Sequence, residues 1–458
     1  MTQFVKEFHK KSNISFDLEH RRRIKFNISK YDIAVSKGMS RYKSVSLAKD
    51  RAAFIKRSVL DNLDEHLLNF EEKISSRGVK VLWACDSNEA VKYLKELLLE
   101  SNCKLLVKSK SMTTEEIDFN EHAQEVGVES VETDLGEFIV QVAGEKPYHI
   151  VTPAMHKSKE DIAELFNRLF DTPPNSSPEE LTAWVRDRLR KQFVSADVGV
   201  TGANFLISDI GAISMTENEG NGLLSGSFPK LHIVIAGIEK VIPNFKDLDL
   251  FLPLLAAHGT GQQLTVYNSL YFGPKKYDEV DGPHKMVVIL LDNGRTDLYA
   301  SKSQYEALSC IRCGACLNSC PVYKNIGGYT YNTTYSGPIG SVITPHLRGS
   351  KDFNHLSFAS SLCGRCEEVC PVRIPLPDLL LENRKEAIEK GNMSLFSRYL
   401  FSFSRLVLSS RMLMDLVPYK IKSFAIKQIS NLSVGYKRQL PKIKEESFSK
   451  QWKSKKSL

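Results

Sequence analysis

The sequence lacks any long apolar run. Over its 458 residues, no stretch of about 18 or more apolar residues occurs, which is the length that a membrane-spanning helix requires. The opening segment MTQFVKEFHKKSNISF also lacks the apolar centre of a signal peptide. We therefore expect a cytoplasmic protein without a transmembrane segment.

Nucleotide-binding motifs are missing as well. No G-x-G-x-x-G follows a predicted strand and no P-loop occurs, so no motif indicates a nicotinamide, flavin or nucleotide site. The formal net charge of +8 arises from 62 Lys and Arg against 54 acidic residues. These charges are spread too evenly to indicate a nucleic-acid-binding protein, and we expect no such partner.

Length and composition divide the chain into segments. A chain of 458 residues exceeds one ordinary core, and its hydrophobic content of 42% can fill two or three. The predicted segments are a basic helical arm at 1–58, an α/β domain at 59–298, a cysteine-rich domain at 301–390 and a basic helical tail at 391–458.

Alternating strand and helix patterns predict the α/β domain. Apolar residues recur every three or four positions between 60 and 74, which predicts an amphipathic helix. The strand VKVLWA, the helix NEAVKYLKELLLE and the strand CKLLVKS follow in β-α-β order, which favours an at least partly parallel sheet. A capping box at Thr113 and Glu116 predicts one helix N-terminus, and Ser177, Pro178 and Glu180 predict another helix start. Further predicted strands are EFIVQV, HIVTPA, NFLISD, AISMT, LHIVIAG and MVVILLD.

Seven of the nine cysteines lie between residues 310 and 370, and in a reducing compartment this clustering indicates metal ligands rather than disulfides. The first run, CIRCGACLNSCP, has the spacing C-x2-C-x2-C-x3-C followed by proline. This is the iron–sulfur run of bacterial ferredoxins, in which three close thiolates bind one cluster and the fourth binds another. Zinc is the alternative, but zinc sites rarely show this triple spacing.

The second cysteine run is one cysteine short. Cys363, Cys366 and Cys370 align with the last three cysteines of the first run, and Ser360 stands where the first would be. The same cross-over then predicts two iron–sulfur clusters. The first takes Cys310, Cys313, Cys316 and Cys370, and the second takes Cys320, Cys363 and Cys366.

The incomplete second site leaves several outcomes open. Its fourth iron could bind Ser360, Ser361, water or a ligand from a partner; the site could hold a [3Fe-4S] cluster; or the cluster could be labile. In one interpretation the cluster only relays electrons. In another, the incompletely ligated iron binds a substrate carboxylate and hydroxyl as a Lewis acid.

Longer motifs surround the cysteines and continue through the α/β segment. They are VKSKSMTTEEI, ETDLGEF, HIVTPAMHKSKE, ADVGVTGANF, NEGNG, LDNGR, CIRCGACLNSCPVY, GPIGSVITPHLRG and SSLCGRCEEVCPVRIPLPDLLL. Together they resemble the iron–sulfur subunit of the bacterial lactate-utilisation system, the lactate utilisation protein B family, over about residues 60–390.

This resemblance carries expectations about fold and function. It implies an α/β lactate-utilisation domain with a mixed or parallel sheet, related to sugar-phosphate isomerases and CoA transferases, followed by an α-helical two-cluster ferredoxin-like domain. It also implies two [4Fe-4S] clusters despite seven cysteines. As partners it implies two other lactate-utilisation subunits, with which the protein would oxidise L-lactate to pyruvate. The downstream electron acceptor is left open.

Polar residues of the α/β domain could form a ligand or catalytic site. The segments VGVTGANF and ENEGNG place Asn204 and Glu219 among glycines, where a small anionic or hydroxylated ligand could approach closely; the alternative is a pair of ordinary turns. His156 follows a predicted strand and could reach a cleft, or be a packed, hydrogen-bonded histidine. Lys108 and Lys110 precede a predicted helix N-terminus, which suits an anion, or are simply solvated.

The basic tail has an amphipathic pattern. Arg398, Arg405 and Arg411 interrupt LFSRYLFSFSRLVLSSRMLMDLV about every two helical turns, which predicts an amphipathic helix rather than a membrane span. This helix could dock on the protein's own body or on a partner, make peripheral membrane contact, or stay solvated.

These features favour electron transfer in lactate oxidation. Oxidation of a 2-hydroxy acid releases two electrons, whereas an iron–sulfur cluster accepts one, so two clusters could take the pair. We expect an iron–sulfur electron-transfer subunit of an NAD-independent L-lactate dehydrogenase-type complex. Alternatively, this chain is itself the catalytic subunit, with substrate at the incomplete cluster or the glycine-rich segments. A third possibility is a scaffold with structural clusters.

Overall fold

The structure, a computed structural model, describes residues 2–391, 395–433 and 444–456. The chain divides into two compact units, residues 1–387 and 388–458. Part of the predicted tail, at 392–394, 434–443 and 457–458, lies outside the described residues.

Four helices precede the first strand. They are α1 (Gln3–Ser12), α2 (Leu18–Met39), α3 (Val45–Leu60) and α4 (Leu63–Ser75), with a 3-10 turn at Asn13–Phe16. Asp17 and Ser44 cap α2 and α3 by accepting backbone N–H groups of the first turn. The amphipathic helix predicted between 60 and 74 is confirmed as α4, whose apolar face is buried, although Leu60 ends the preceding helix.

The following part of the chain alternates strands and helices. The strands are β1 (Lys80–Ala84), β2 (Leu105–Lys108), β3 (Glu129–Glu132), β4 (Val198–Thr201), β5 (Phe205–Ile207), β6 (Ala212–Glu217), β7 (Leu231–Gly237), β8 (Val241–Ile242), β9 (Tyr267–Tyr271) and β10 (Lys285–Leu291). The helices are α5 (Ser87–Glu100), α6 (Met112–Glu116), α7 (Phe119–Glu125), α8 (Leu135–Val142), α9 (Lys159–Phe170), α10 (Pro178–Ser195), α11 (Asn221–Ser227), α12 (Leu248–Thr260) and α13 (Arg295–Ala300). Short 3-10 turns lie at Ile238–Lys240 and Phe245–Asp247.

Six strands form a parallel sheet in the order β1-β10-β7-β4-β2-β3. The central strand LHIVIAG is buried along its whole length, as expected for a parallel sheet covered on both faces. Ile233 and Ile235 pack with α5 and α7 on one face, whereas Val234 and Ala236 pack with α4 and the second sheet on the other. The fold class is therefore α/β with a parallel main sheet, as predicted.

A second sheet of four strands, in the order β8-β5-β6-β9, is mixed. Strand β6 pairs antiparallel with β5 and β9, and β5 pairs parallel with β8. The predicted strands NFLISD and AISMT are confirmed here as β5 and β6, and LHIVIAG and MVVILLD are confirmed in the main sheet as β7 and β10.

The strand predicted for EFIVQV is wrong, because this segment belongs to helix α8. Asp134 caps the helix by accepting the Glu137 backbone N–H at 3.1 Å. Phe138, Ile139 and Val140 are all buried in this helix, so the N-cap and tertiary packing outweigh the β propensity of the valines and isoleucine.

Two other local predictions are wrong. HIVTPA forms no strand, because Nδ1 of His149 accepts the backbone N–H groups of Val151 and Thr152 at 3.1 and 3.3 Å and fixes a turn. Thr113 is not a helix cap; Ser111 caps α6 instead, by accepting the Thr114 N–H. By contrast, the helix start predicted at Ser177, Pro178 and Glu180 is confirmed at α10, where Ser177 and Glu180 form a capping box.

The cysteine-rich segment is helical. After a 3-10 turn at Tyr305–Ser309, its helices are α14 (Ala315–Ser319), α15 (Tyr323–Ile326), α16 (Gly337–Leu347), α17 (Ser350–Phe353), α18 (His355–Phe358), α19 (Arg365–Glu368) and α20 (Leu376–Glu389), with a 3-10 turn at Tyr329–Tyr331. The second unit contains α21 (Leu395–Ser409), α22 (Arg411–Leu416), α23 (Tyr419–Ser433) and α24 (Phe448–Lys456). Helices α21 and α22 contain the predicted tail arginines.

Candidate metal centre

Polar residues collect at the carboxyl ends of the parallel strands. Lys108 ends β2, Glu132 ends β3 and Thr201 ends β4, while Glu239 and Asn293 follow β7 and β10. Because these strands are parallel, their carboxyl ends meet at one edge of the sheet. This is the edge at which open α/β sheets bind ligands.

A buried ion network holds this edge together. Arg295 donates to both carboxylate oxygens of Glu116 at 2.9 and 2.8 Å and, through Nε, to Glu239 at 2.6 Å. All three side chains are at most 3% exposed. Burial raises the pKa of the Glu239 carboxyl, but the nearby Arg295 and Arg312 outweigh this effect and lower the pKa to about 2. The network is therefore charged at neutral pH.

The first cysteine run attaches to this network. Arg312 donates to Glu239 at 3.2 Å and its guanidinium lies 4.5 Å from the centre of the Tyr335 ring. The Tyr335 hydroxyl donates to Glu116 at 2.6 Å. The cysteine-rich segment thus lies directly on the carboxyl edge of the sheet.

Four cysteines line one cavity. They are Cys310, Cys313, Cys316 and Cys370. The walls are largely apolar and include Met112 and Ile150 from the α/β part of the chain, with Leu317, Ile339 and Ile374 from the cysteine-rich part. Cys370 comes from the second run, so the fold brings together the four thiols that the cross-over rule groups.

The thiols of this cavity suit a metal cluster. Burial raises the pKa of Cys313 and Cys316 far above the ordinary thiol value, and that of Cys370 to about 11. A thiolate at these positions therefore needs a cation, and cluster iron supplies one. The donor set and its apolar surroundings fit a [4Fe-4S] cluster.

Two cationic side chains near Cys310 have donor groups without a hydrogen-bond acceptor in the described part of the chain, which supports the same fit. Arg312 Nη1 is buried without a hydrogen-bond partner. Lys240 is 8% exposed and has no hydrogen-bond or ion-pair partner among the residues that the structure describes, and burial lowers its pKa to about 8. Both groups interact electrostatically with Cys310. A cluster bound by four thiolates carries negative charge, which would balance the positive charge of these two side chains.

The other three cysteines form a second group nearer the surface. Cys320 and Cys366 are each 9% exposed, whereas Cys363 is exposed. Cys366 interacts electrostatically with both Cys320 and Cys363. Ser360 precedes Cys363 by three residues, and its hydroxyl accepts the Leu362 backbone N–H at 3.1 Å. A cluster at this site would lie closer to solvent than one in the first cavity.

Two family models match the chain at these positions. A model described as LUD domain matches residues 67–291, and one described as 4Fe-4S dicluster domain matches residues 306–374. Lactate utilization protein B of Bacillus velezensis is 44% identical over 343 residues, which covers 75% of this chain and 72% of that protein. The chain belongs to the lactate utilization protein B family.

Two further relatives are similar over most of their length. Lactate utilization protein B of Bacillus subtilis is 45% identical, over 73% of this chain and 70% of that protein. The uncharacterized electron transport protein YkgF of Escherichia coli is 40% identical, over 83% and 82%. As a member of the lactate utilization protein B family with a 4Fe-4S domain, the chain has an iron–sulfur electron-transfer role in lactate utilisation.

A solved structure of a duf162 family protein from Deinococcus radiodurans aligns with 50% of this chain and 98% of that chain, at 13% identity and a TM-score of 0.28. This similarity is too low to support a conclusion. Within the described ranges, no helix of this lactate utilization protein B family member is long and apolar enough to cross a membrane.

The side chains of Asn204 and His156 contact neighbouring residues of the fold. Asn204 Oδ1 accepts the Thr216 backbone N–H at 2.9 Å and so joins β5 to β6. Nε2 of His156 lies 2.7 Å from Glu145, which also accepts the Tyr329 hydroxyl at 3.0 Å. These contacts support the packed, hydrogen-bonded alternative for His156.

Glu219 lies beside a pocket of about 580 Å³, lined also by Lys30 and Tyr31 of α2, by Asp134 and by Lys157. Its carboxylate accepts the Leu135 backbone N–H at 3.1 Å. Although Glu219 as a whole residue is exposed, desolvation of its carboxyl group beside the pocket and, next, the Asp134 charge raise its pKa to about 7. Of the three catalytic candidates, Glu219 alone lines this pocket.

The two lysines before α6 both have partners within the protein. Lys108 is fully buried and lies 2.8 Å from Glu132 and 3.2 Å from Glu115. Lys110 donates to the Val151 carbonyl at 3.2 Å. Internal partners therefore replace the anion that the sequence suggested for Lys108.

Sequence analysis missed the charged groups that join the sheet to the cysteines. Glu239, Lys240 and Arg295 were not singled out, and Glu116 was considered only as part of a capping box, although each lies in or beside a segment that follows an apolar strand. Charged residues directly after strands of a parallel sheet are the signal that could have found them. Arg312, inside the first cysteine run, gave no separate signal.

Proposed function

We propose that this protein is the electron-transfer subunit of a complex that oxidises L-lactate to pyruvate, working with two other lactate-utilisation subunits. The observation that carries this proposal is the grouping of seven cysteines at two neighbouring places, one buried against the sheet and one near the surface. Two one-electron centres there would receive the electron pair that lactate releases.

The proposed ligand sets follow from that grouping. A first [4Fe-4S] cluster is held by Cys310, Cys313, Cys316 and Cys370, and a second by Cys320, Cys363 and Cys366 with one further ligand. We retain 59–298 as the lactate-utilisation domain and 301–390 as the cluster-binding domain.

The two cysteine groups differ in burial, and we assign them different roles in electron transfer. The first group is enclosed by apolar walls and cationic side chains, which exclude water and stabilise an added electron. The second includes the exposed Cys363, through which electrons can pass to or from a partner. The final acceptor is a protein or small molecule outside this chain.

A catalytic role for this chain is the second candidate, and one observation favours it. The pocket of about 580 Å³ places the Glu219 carboxyl, with a pKa of about 7, beside Lys30, Tyr31 and Lys157. A group with this pKa can take up a proton near neutral pH, as removal of the lactate hydroxyl proton requires.

Anaerobic electron paramagnetic resonance separates these functions. The protein is mixed with L-lactate either alone or after co-purification with its two partner subunits, and samples are frozen at increasing times. We expect reduced-cluster signals only in the complex. Reduction of the isolated chain would instead establish the catalytic alternative, and clusters that stay oxidised in a lactate-oxidising complex would refute both.

A further inference from the structure

The two cysteine runs fold as a structural repeat. The second lies fifty residues after the first, so that Cys313, Cys316, Cys320 and Pro321 correspond to Cys363, Cys366, Cys370 and Pro371. Gly314 and its counterpart Gly364 both have positive φ, +79° and +80°, and each precedes a short helix. The backbone of the second run therefore follows the course of the first.

Ser360 occupies the position of Cys310 in this repeat. In the first run, Cys310 Sγ accepts the Arg312 backbone N–H at 3.4 Å. In the second, Ser360 Oγ accepts the Leu362 backbone N–H at 3.1 Å. Arg312 and Leu362 both have positive φ, +61° and +52°, which non-glycine residues adopt only infrequently. The serine oxygen thus lies where the first run has a thiol that lines the metal cavity.

The last cysteines of the two runs also accept backbone N–H groups, although the donors are not at equivalent positions of the repeat. Cys320 Sγ accepts the Tyr323 backbone N–H at 3.5 Å, and Cys370 Sγ accepts the Ile374 N–H at 3.4 Å. Cys370 crosses over to the first group, and its counterpart Cys320 lies with Cys363 and Cys366 in the second group. The second group therefore has three cysteines, and its fourth position in the repeat is residue 360.

The segment that contains Ser360 is anchored from outside the cysteine run. Arg384 of α20 donates to the carbonyls of Ser357 and Ser360 at 2.9 and 3.1 Å. These two contacts fix the backbone of Ser360 independently of any metal. The neighbouring Ser361 is exposed and has no counterpart among the cysteines of the first run.

We propose that the Ser360 hydroxyl is the fourth protein ligand of the second [4Fe-4S] cluster. On binding, the O–H bond of Ser360 breaks and its proton passes to solvent, while an oxygen lone pair forms the bond to iron; no electron is transferred. The proposal rests on the cluster assignment in the proposed function and names the ligand that this assignment lacks.

Oxygen ligation has a consequence for the redox properties of the site. An alkoxide is a harder donor than a thiolate and binds ferric iron preferentially. Replacement of Ser360 by cysteine should therefore raise the reduction potential of the second cluster. The turn tolerates sulfur, since Cys310 makes the corresponding hydrogen bond.

Three variants of the full chain test the proposal: Ser360→Ala, Ser360→Cys and, as the matched control, Ser361→Ala. Each is purified anaerobically after growth with ⁵⁷Fe and studied by Mössbauer spectroscopy and electron paramagnetic resonance, before and after mild oxidation. In the native protein we expect one iron with a spectrum distinct from that of the thiolate-bound irons. In Ser360→Cys this distinct spectrum should disappear, with four irons retained at the second cluster.

In Ser360→Ala we expect either a changed spectrum at that iron or its loss, with a [3Fe-4S] signal after oxidation. The first cluster should be unchanged in every variant, which also shows that the chain folds. A Ser360→Ala protein identical to the native protein would overturn the proposal, as would the same changes in Ser361→Ala. Because no readout uses lactate, failure here is distinguishable from failure of the proposed electron-transfer function.

Discussion

Arg312, in the first cysteine run, donates to Glu239, which follows strand β7, at 3.2 Å. The two residues are far apart in sequence, and their contact places the first cysteine group on the carboxyl edge of the parallel sheet. Glu239 also binds Arg295, so one carboxylate joins the sheet, the helix after β10 and the metal centre.

Replacement of Glu239 by glutamine should strongly destabilise the protein. The change leaves the buried guanidinium of Arg295 with one carboxylate partner instead of two, and loss of one partner in a buried ion pair costs roughly 3–5 kcal/mol. Thermal unfolding of the anaerobic protein at pH 7 measures the effect. The control is Glu96→Gln at the exposed pair with Lys92, where we expect less than about 1 kcal/mol.

The same variant should show a defined pH dependence. The folded-state pKa of Glu239, about 2, lies below its ordinary value of 4.5, so its charge contributes stability fully above pH 4.5. That contribution is lost as the pH falls from 4.5 towards 2. The stability difference between native and Glu239→Gln proteins should therefore shrink below pH 4.5, and a difference that stays constant down to pH 3 would contradict the assigned ion network.

Alanine substitutions at Cys370 and Cys320 should remove different clusters. Cys370 lies with the first group although its sequence neighbours belong to the second, and Cys320 lies with the second group although its sequence neighbours belong to the first. Iron content and electron paramagnetic resonance of the reduced proteins should show one cluster lost in each variant, with the α/β part still folded by circular dichroism. Loss of both clusters from either substitution would contradict the cross-over.

Replacement of Lys240 by methionine should lower the reduction potential of the first cluster. This buried ammonium, which has no partner among the described residues, interacts with Cys310, and a nearby positive charge favours the reduced, more negative cluster. We expect a shift of tens of millivolts in an anaerobic redox titration. Lys230→Met removes an exposed charge and should leave the potential unchanged; equal shifts in both variants would argue against a local effect of Lys240.

Replacement of Glu219 by glutamine should stabilise the protein at higher pH. The folded-state pKa of Glu219, about 7, exceeds its ordinary value of 4.5, so deprotonation costs stability progressively between pH 4.5 and 7. The variant should therefore unfold at a higher temperature than the native protein above pH 7, and the two should converge below pH 4.5. Glu129→Gln, at an exposed carboxylate of β3, serves as the control, and its unfolding temperature should not exceed that of the native protein above pH 7.

Replacement of Asn204 by alanine should reduce stability without affecting lactate oxidation by the assembled complex. The Thr216 N–H loses its acceptor, which costs about 1–3 kcal/mol for a buried donor and less for this half-buried one. Asn204→Asp retains an acceptor oxygen and should recover most of the loss. Impaired oxidation by Asn204→Ala with intact clusters would instead assign this residue to a substrate site.

The sequence was sufficient where short-range patterns carry the information. The cysteine spacing predicted iron–sulfur chemistry, and the apolar runs LHIVIAG and MVVILLD predicted strands, because ligand spacing and continuous apolar runs are local properties of the sequence. The same reasoning failed at EFIVQV, where valines and an isoleucine suggest a strand but the segment forms a packed helix capped by Asp134.

Tertiary structure alone determined which charges surround the metal centre. The contacts of Glu239 with Arg312 and of Glu116 with Tyr335 join residues remote in sequence, and no periodicity specifies which distant groups will meet. Folding of the parallel sheet collects the strand ends at one edge, and burial there requires each charge to find a partner. The sequence by itself thus determined the kind of cofactor, whereas the fold determined its position against the sheet and the charges that surround it.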